Sequence, residues 1–230
     1  IFGWNSPLRK IDACSNLVFQ SLHDIFHHSI EADAEGNIWV PSHMYPQSLP
    51  EKKVGRNIVT EGGYYDDAIV KLSPEGEVSF EKSVSQIFID NGLEYLLFSV
   101  GDLSFTKNPI HLNDIQPVNS DSQYWKKGDV FLSLRHQSMV LLYRPSTNKI
   151  IWRGVGPFFN QHDVDIIDNN TISIFNNNAK NFDGGRTVDG NNTVILYDFK
   201  TNEYSEYLSQ SLIEYDVRTP KEGLSEILQN

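Results

Sequence analysis

The chain has one cysteine, Cys14, so no disulfide can close within it and a zinc site built on several thiolates is excluded. Long apolar runs are missing as well. The longest, Tyr95 to Val100 and Met139 to Tyr143, fall far short of the ~20 residues that a membrane-crossing helix needs. Basic residues are few: 19 Lys and Arg stand against 30 Asp and Glu, a formal charge of −11. They are scattered, apart from pairs such as Lys126-Lys127, which argues against a nucleic-acid partner. The first residue is Ile1, and no charged-then-apolar leader precedes the first patterned segment, so composition leaves localisation unread. What is present, 230 residues with 39% hydrophobic and 12% aromatic side chains, suffices for one sizeable core.

Internal similarity carries the most information. Three segments, His28 to Asp33, His111 to Gln116 and His162 to Ile167, each begin with His, alternate like a strand and place an acid three residues on. A weaker copy without the His, Gly223 to Asn230, is expected to supply an orphan strand over Leu224 to Gln229. Behind each His come a turn, a second strand and a hairpin of two more. In the middle copy these are Val130 to Arg135, Met139 to Arg144 and, after the Pro145 to Lys149 turn, Ile150 to Arg153. Four antiparallel strands per unit, repeated, predict an all-β chain of propeller blades, about 26–83, 110–155 and 161–208, in one domain over 1–230. The wide first interval requires an insertion. His43 to Asp66 is expected as a loop, and Ser83 to Val100 as a helix interrupted at Asn91-Gly92. Both chain ends are expected to fall inside further blades, supplied by a longer chain or another subunit.

In an up-and-down blade the end of the second strand lies beside the start of the first, which brings Arg135 to His111, Ser42 and His43 to His28, and Asn176 and Asn177 to His162. His28, His111, Arg135 and His162 are therefore expected at one mouth of a central channel, with Asn113 on the same side as His111 by period-two alternation. By the same alternation Glu31, Asp114 and Asp165 are expected to face elsewhere, as partners for backbone groups. Taken singly, each repeat histidine serves equally well as a structural hydrogen-bond hub. His23, His43 and His136 lie outside the repeat and read as structural. Trp39, Trp125, Trp152 and Phe175 read as fillers between blades. Three imidazoles could hold zinc, but the fixed charge of Arg135 suits an oxyanion better, so no metal is expected.

The stretch Phe26 to Tyr197 resembles the arylsulfotransferase family. The matching words are Phe26 to Asp33 with Gly36 to Trp39, Pro109 to Ile115, Gly128 to Arg135, Ile150 to Arg153 with Gly156-Pro157, and Gln161 to Asp163 with Thr171 to Asn176. The resemblance implies a six-bladed propeller, exported (periplasmic, extracellular or membrane-anchored), that moves a sulfuryl group from an aryl sulfate to a phenol without a nucleotide donor or other cofactor. It further implies that His162 is the nucleophile, that His111, Asn113 and Arg135 hold the sulfuryl oxygens, and that His28 lies against the donor or acceptor oxygen. His27 is the neighbouring candidate for that last role, although the repeat register favours His28. Relatives often have Phe-Asp-Asn where this chain has Phe175-Asn176-Asn177, a change expected to remove a carboxylate from beside His162. A neutral imidazole is a competent nucleophile near pH 7, and sulfuryl transfer asks the protein mainly to position groups and neutralise oxygen charge. The competing reading is a propeller of the same lineage that binds or supports without catalysing.

Overall fold

A computed structural model of the chain describes residues 7–22, 25–55, 63–99, 105–182 and 185–228. A hairpin of β1 (Leu8–Ile11) and β2 (Leu17–Ser21) is followed by three antiparallel sheets. The first contains β3 (Ile25–Phe26), β4 (Glu31–Ala32), β5 (Ile38–His43), β6 (Asp67–Leu72) and β7 (Val78–Ser83). Its first position is split, because β3 and β4 both pair with β5 on either side of an interruption at 27–30. The second sheet runs β8 (Leu112–Pro117), β9 (Val130–Leu134), β10 (Met139–Arg144) and β11 (Lys149–Val155) in consecutive order. The third runs β12 (Val164–Ile166), β13 (Thr171–Asn176), β16 (Thr193–Asp198) and β17 (Glu203–Tyr207). Between β13 and β16 the chain makes a separate hairpin, β14 (Ala179–Phe182) with β15 (Gly185–Val188).

Helices are few and short. α1 (Glu51–Val54) lies in the loop after β5, and α2 (Val84–Asp90) and α3 (Tyr95–Phe98) follow β7. The Ser83 side chain caps α2 by accepting from Gln86 N, and Asn91-Gly92 ends it, as the interrupted apolar spacing predicts. A further helix, α4 (Ser209–Glu214), follows β17.

The core is built by alternation on strands buried on both faces. Val130, Leu132 and Leu134 of β9, with Met139, Leu141 and Tyr143 of β10, pack towards the first sheet and α2. Their neighbours Phe131, Val140 and Leu142 pack towards the third sheet, against Ile172, Ile174 and Tyr197. Period two thus splits one apolar run into two intersheet cores, which is why Met139 to Tyr143 reads as continuous hydrophobe. Trp39 and Trp125 are buried in these layers and Trp152 packs at their edge, whereas Phe175 lies against the backbone of Gly223. The outer face of the first sheet is closed by the β1–β2 hairpin, whose Leu8 and Phe19 meet Val40, Val70 and Leu72.

Turn chemistry fixes the hairpins. Asn148 takes a left-handed φ of 53° after Pro145–Thr147, and its carbonyl-side oxygen accepts from the Tyr143 hydroxyl. Ahead of β9, the buried Asp129 receives two hydrogen bonds of 2.7 Å from Arg144 Nε and Nη2, a fork that ties the turn to the next strand. One expectation fails here. Residues 221–228 form no strand, since they run across the mouth of the third sheet held by side-chain contacts instead of a ladder; Gln229 lies outside the described residues. His23, also read as structural, lies outside them too.

Candidate functional site

The three repeat histidines meet at the ends of the innermost strands. His28, in the interruption between β3 and β4, and His111, just before β8, have the same left-handed backbone, φ 59° and 58°. Such a conformation is uncommon outside glycine, and its repetition at two equivalent positions marks a held geometry. The ring of His28 is 5.0 Å from that of His111 and 5.9 Å from that of His162, centre to centre. Arg135 follows β9 directly and donates its backbone N–H to His111 O at 3.0 Å, the adjacency that hairpin topology predicts. All four, with Asn113, line one cleft of about 940 Å³.

His162 is oriented by a readable chain of hydrogen bonds. Asn177 Nδ2 donates to the carbonyls of Thr219 and Glu222, so its Oδ1 is the atom 2.8 Å from His162 Nδ1. The proton of this imidazole therefore sits on Nδ1, and Nε2 carries the lone pair. That lone pair accepts from the backbone N–H of Glu222 at 2.9 Å. Arg135 Nη2 in turn donates to Pro220 O at 2.9 Å, so the segment 220–222 spans both groups. Burial is the first cause that lowers the histidine pKa values, to about 4 for His28 and His162 and to about 2 for His111, so all three rings are neutral near pH 7. Arg135, brought down to about 10 by burial and then by Arg186, remains a cation.

Several residues around this core escaped the sequence reading. Asn108 Nδ2 donates to His111 Nδ1 at 2.8 Å, which leaves the His111 proton on Nε2. His136 stacks on His111 at 4.5 Å and bridges Asn108 O to the Arg135 guanidinium, so it supports the site instead of serving only the fold. Arg186, on β15, and Lys221 add positive charge to the cleft wall. Nothing in the repeat register could place Arg186, because its hairpin is an insertion within one sheet.

The alternation argument needs two corrections. Glu31 and Asp114, expected to face away, line the same cleft. A bulge in β8 explains Asp114: Leu112 pairs with Leu134 and Asp114 with Ser133, so Asn113 is an extra residue and the two-residue count is broken. Glu31 follows the interruption at 27–30, where four residues stand opposite two of β5 and His28 is left-handed, so strand alternation counted from His28 does not reach it. Asp114 still meets the expected backbone partner, accepting from Val164 N at 3.1 Å. Asp165 is outside the lining but next to the same acids. Burial and then Asp163 raise it to about 8, while burial, Asp163 and Glu226 raise Glu31 to about 7.

Asn176 is also placed differently from expectation. Its Oδ1 accepts from Phe159 N and Asn178 N, and its Nδ2 donates to Thr193 Oγ1, so it braces a loop away from His162. The imidazole is oriented by Asn177. Asn113 is buried in the cleft wall, but its Nδ2 donates to Gln161 O at 3.0 Å, so it also fixes the backbone that carries His162. His27 does not face the cleft; His28 does, and His27 turns towards His43 and Asp67.

Among solved structures, the chain is similar to one in a nidogen/laminin complex (6% identity, TM-score 0.42, covering 83% of this chain and 51% of that one). It is also similar to the dihydro-heme d1 dehydrogenase NirN (11%, 0.40, 86% and 32%) and to a streptogramin B lyase (13%, 0.40, 89% and 62%). It spans less than two thirds of the length of each. No curated protein sequence is significantly similar to it. Among the described residues, no helix is long and apolar enough to cross a membrane. The sequence profile described as arylsulfotransferase (ASST) matches residues 2–230, essentially the whole length, and the chain belongs to that family.

Proposed function

We propose that the three sheets are consecutive blades, 26–83, 110–155 and 161–208, of a six-bladed propeller whose other blades come from a longer chain or another subunit. In this reading the cleft transfers a sulfuryl group from an aryl sulfate to a phenol through His162, without nucleotide or other cofactor, in an exported protein. The observation that carries it is the His162 imidazole, neutral and with its lone pair fixed on Nε2 towards a cleft that holds the Arg135 cation.

The steps balance as follows. The Nε2 lone pair attacks sulfur, the S–O bond to the aryl group breaks, and an N–S bond forms. The aryl oxygen leaves as its phenolate, to which the neutral His28 donates a hydrogen bond, and takes its proton from solvent. An incoming phenol gives its proton to solvent and attacks sulfur as the phenolate, and the N–S bond breaks to release the neutral imidazole. Arg135 and the Nε2–H of His111 neutralise charge on the sulfuryl oxygens, with Asn113 keeping His162 in register. Before this, Glu222 N–H must leave Nε2 and Pro220 O must leave Arg135. A sulfuryl oxygen can then take the place of that carbonyl on Nη2, so the strap contacts mark where the donor binds.

The test is to mix the full-length protein with 4-nitrophenyl sulfate and look by mass spectrometry for an acid-labile sulfuryl group on the peptide that holds Gln161-His162-Asp163. Modification together with nitrophenolate release supports the proposal. Turnover at full rate with that peptide never modified, or by His162→Asn, overturns the nucleophile assignment. Absence of any turnover with aryl sulfates favours a non-catalytic propeller of the same lineage.

A further inference from the structure

At the edge of the first sheet, next to the cleft but not lining it, stands a second polar cluster that the sulfuryl chemistry leaves unused. His43 ends β5 and is the cross-strand partner of Asp67, which begins β6; Ile25, two residues before His27, is the partner of His43 on the other side. Three neighbouring strands thus deliver His27, His43 and Asp67 to one point. The Nε2 atoms of His27 and His43 lie 3.6 and 3.7 Å from Asp67 Oδ1, and one ligand atom from each residue falls within 4.8 Å of the other two.

We propose that His27 Nε2, His43 Nε2 and Asp67 Oδ1 form a binding site for one divalent transition-metal ion of the zinc type.

Four observations support it. First, His27 is 3% exposed and its Nε2 has no hydrogen-bond partner, although it points at the carboxylate. The separation from Asp67 is too long for a hydrogen bond. It is close to the edge of a tetrahedral site, about 3.3 Å for bonds of 2.0–2.1 Å, so a contraction of a few tenths of an ångström would close it. Second, Asp67 is buried and its ion-pair partners among the described residues are these two histidines, both of which burial keeps neutral. A buried carboxylate with no fixed cation beside it is stabilised by a metal ion.

Third, the outer contacts are those of oriented ligands. Asp67 Oδ2 accepts from His111 N at 2.9 Å, and His27 Nδ1 stands 2.6 Å from His28 Nδ1. Fourth, the guanidinium that disfavours a cation in the cleft is not felt here. Arg135 contributes to the lowered pKa values of His28, His111 and His162, but it is not among the causes for His27 or His43. Nitrogen and carboxylate donors suit zinc better than magnesium or calcium, which prefer all-oxygen shells.

The site does not depend on the proposed reaction, but it would act on it. A metal on His27 Nε2 fixes the His27 proton on Nδ1, which donates to His28 Nδ1 and leaves the His28 proton on Nε2. His28 would then be held in the tautomer that can donate into the cleft.

The experiment strips the full-length protein with a chelator and titrates it with zinc chloride, with cobalt chloride and with magnesium chloride as control. The expected result is one zinc or cobalt ion per chain, visible ligand-field bands for cobalt, a rise in Tm on zinc addition, and no effect of magnesium. His43→Gln and Asp67→Asn should each weaken zinc binding at least tenfold, and His162→Asn should leave it unchanged. Should either ligand variant fail to fold, zinc X-ray absorption of the parent protein decides, with nitrogen and oxygen neighbours at about 2.0–2.1 Å expected. Substoichiometric zinc in the parent, binding undiminished in a folded His43→Gln, or loss of binding in His162→Asn each overturns the proposal.

Discussion

The backbone N–H of Glu222 donates to Nε2 of His162 at 2.9 Å, in the position that the sulfur of a donor would occupy in the proposed transfer. The nitrogen that carries the imidazole lone pair is therefore covered, and the covering segment is tied down at both sides, by Arg135 to Pro220 O and by Asn177 to the carbonyls of Thr219 and Glu222. Glu222 and Gly223 hold it with positive φ values of 65° and 114°. A left-handed glutamate is strained by roughly 1–2 kcal/mol, which partly offsets the hydrogen bonds that hold the segment.

Gly223→Ala should uncover Nε2 of His162. An added Cβ would collide with Cε1 of Phe175, which is buried, so the strap must move. Loss of one hydrogen bond worth about 1 kcal/mol corresponds to several-fold greater exposure of Nε2. The measurement is the rate of His162 carbethoxylation by diethyl pyrocarbonate, followed by peptide mapping. An unchanged rate would mean that the Glu222 contact does not control access to the nitrogen.

Asn177 and Asn176 should behave in opposite ways. Asn177→Ala removes the acceptor that fixes the His162 tautomer and should lower kcat by roughly 10²-fold or more, as expected when the orienting partner of a catalytic imidazole is lost. Asn176→Asp restores the carboxylate of the relatives, yet its oxygens would meet the N–H groups of Phe159 and Asn178 and leave His162 untouched. Its kcat should stay near the parent value. A large rise for Asn176→Asp would show that the carboxylate reaches the imidazole after all.

Arg135→Lys should keep the charge and lose the fork. Arg135 is 2% exposed, and its Nη1 and Nη2 address His136 and Pro220 in fixed directions that a lysine ammonium cannot reproduce. Removing a directed donor of this kind typically lowers kcat by about 10²- to 10³-fold. Double-reciprocal plots against donor and acceptor should remain parallel, because the kinetic order depends on His162. Intersecting plots would point to direct transfer between bound substrates.

Much of this architecture is legible in the sequence because two periodicities coincide. The strands of the second sheet fall where Val130 to Arg135, Met139 to Arg144 and Ile150 to Arg153 were expected, and Arg135 meets His111 because hairpin topology leaves no other place for it. Legibility stops where the backbone departs from regular pairing. The bulge at Asn113 turns Asp114 into the cleft, alternation counted from His28 is interrupted at 27–30 before it reaches Glu31, and no local residue pattern announces either irregularity. Arg186 and Lys221 come from an inserted hairpin and from an irregular strap, where a repeat register has nothing to say. The β1–β2 hairpin was missed because Leu8–Ile11 and Leu17–Ser21 mix exposed apolar residues with polar ones.

The acids gathered around the cleft should make stability fall as pH rises from the ordinary carboxyl range through 7 to 8. Burial and mutual repulsion raise Glu31 to about 7 and Asp165 to about 8, and they raise Asp114 and Asp163 as well. Glu31 faces Asp163 and Glu226, and Asp165 faces Asp163, Glu31 and Glu226, while the cations Arg186 and Lys221 lie on the same cleft wall as Glu31. For a carboxyl whose folded pKa exceeds its unfolded value near 4, the folded state holds more protons, so its contribution is fully present at low pH and is lost as pH rises through 7 to 8. His162 works in the opposite direction: with a folded pKa of about 4 against 6.5, it reduces stability only as pH falls from 6.5 towards 4. Between pH 6.5 and 8 the carboxyl groups therefore act unopposed by this histidine. Thermal unfolding of the full-length protein should show Tm decreasing across that range, and Glu31→Gln, which removes one of the interacting charges, should flatten the decrease. A Tm that stays level or rises from pH 6.5 to 8 in the parent protein would mean that these acids are already ionised in the folded state below that range.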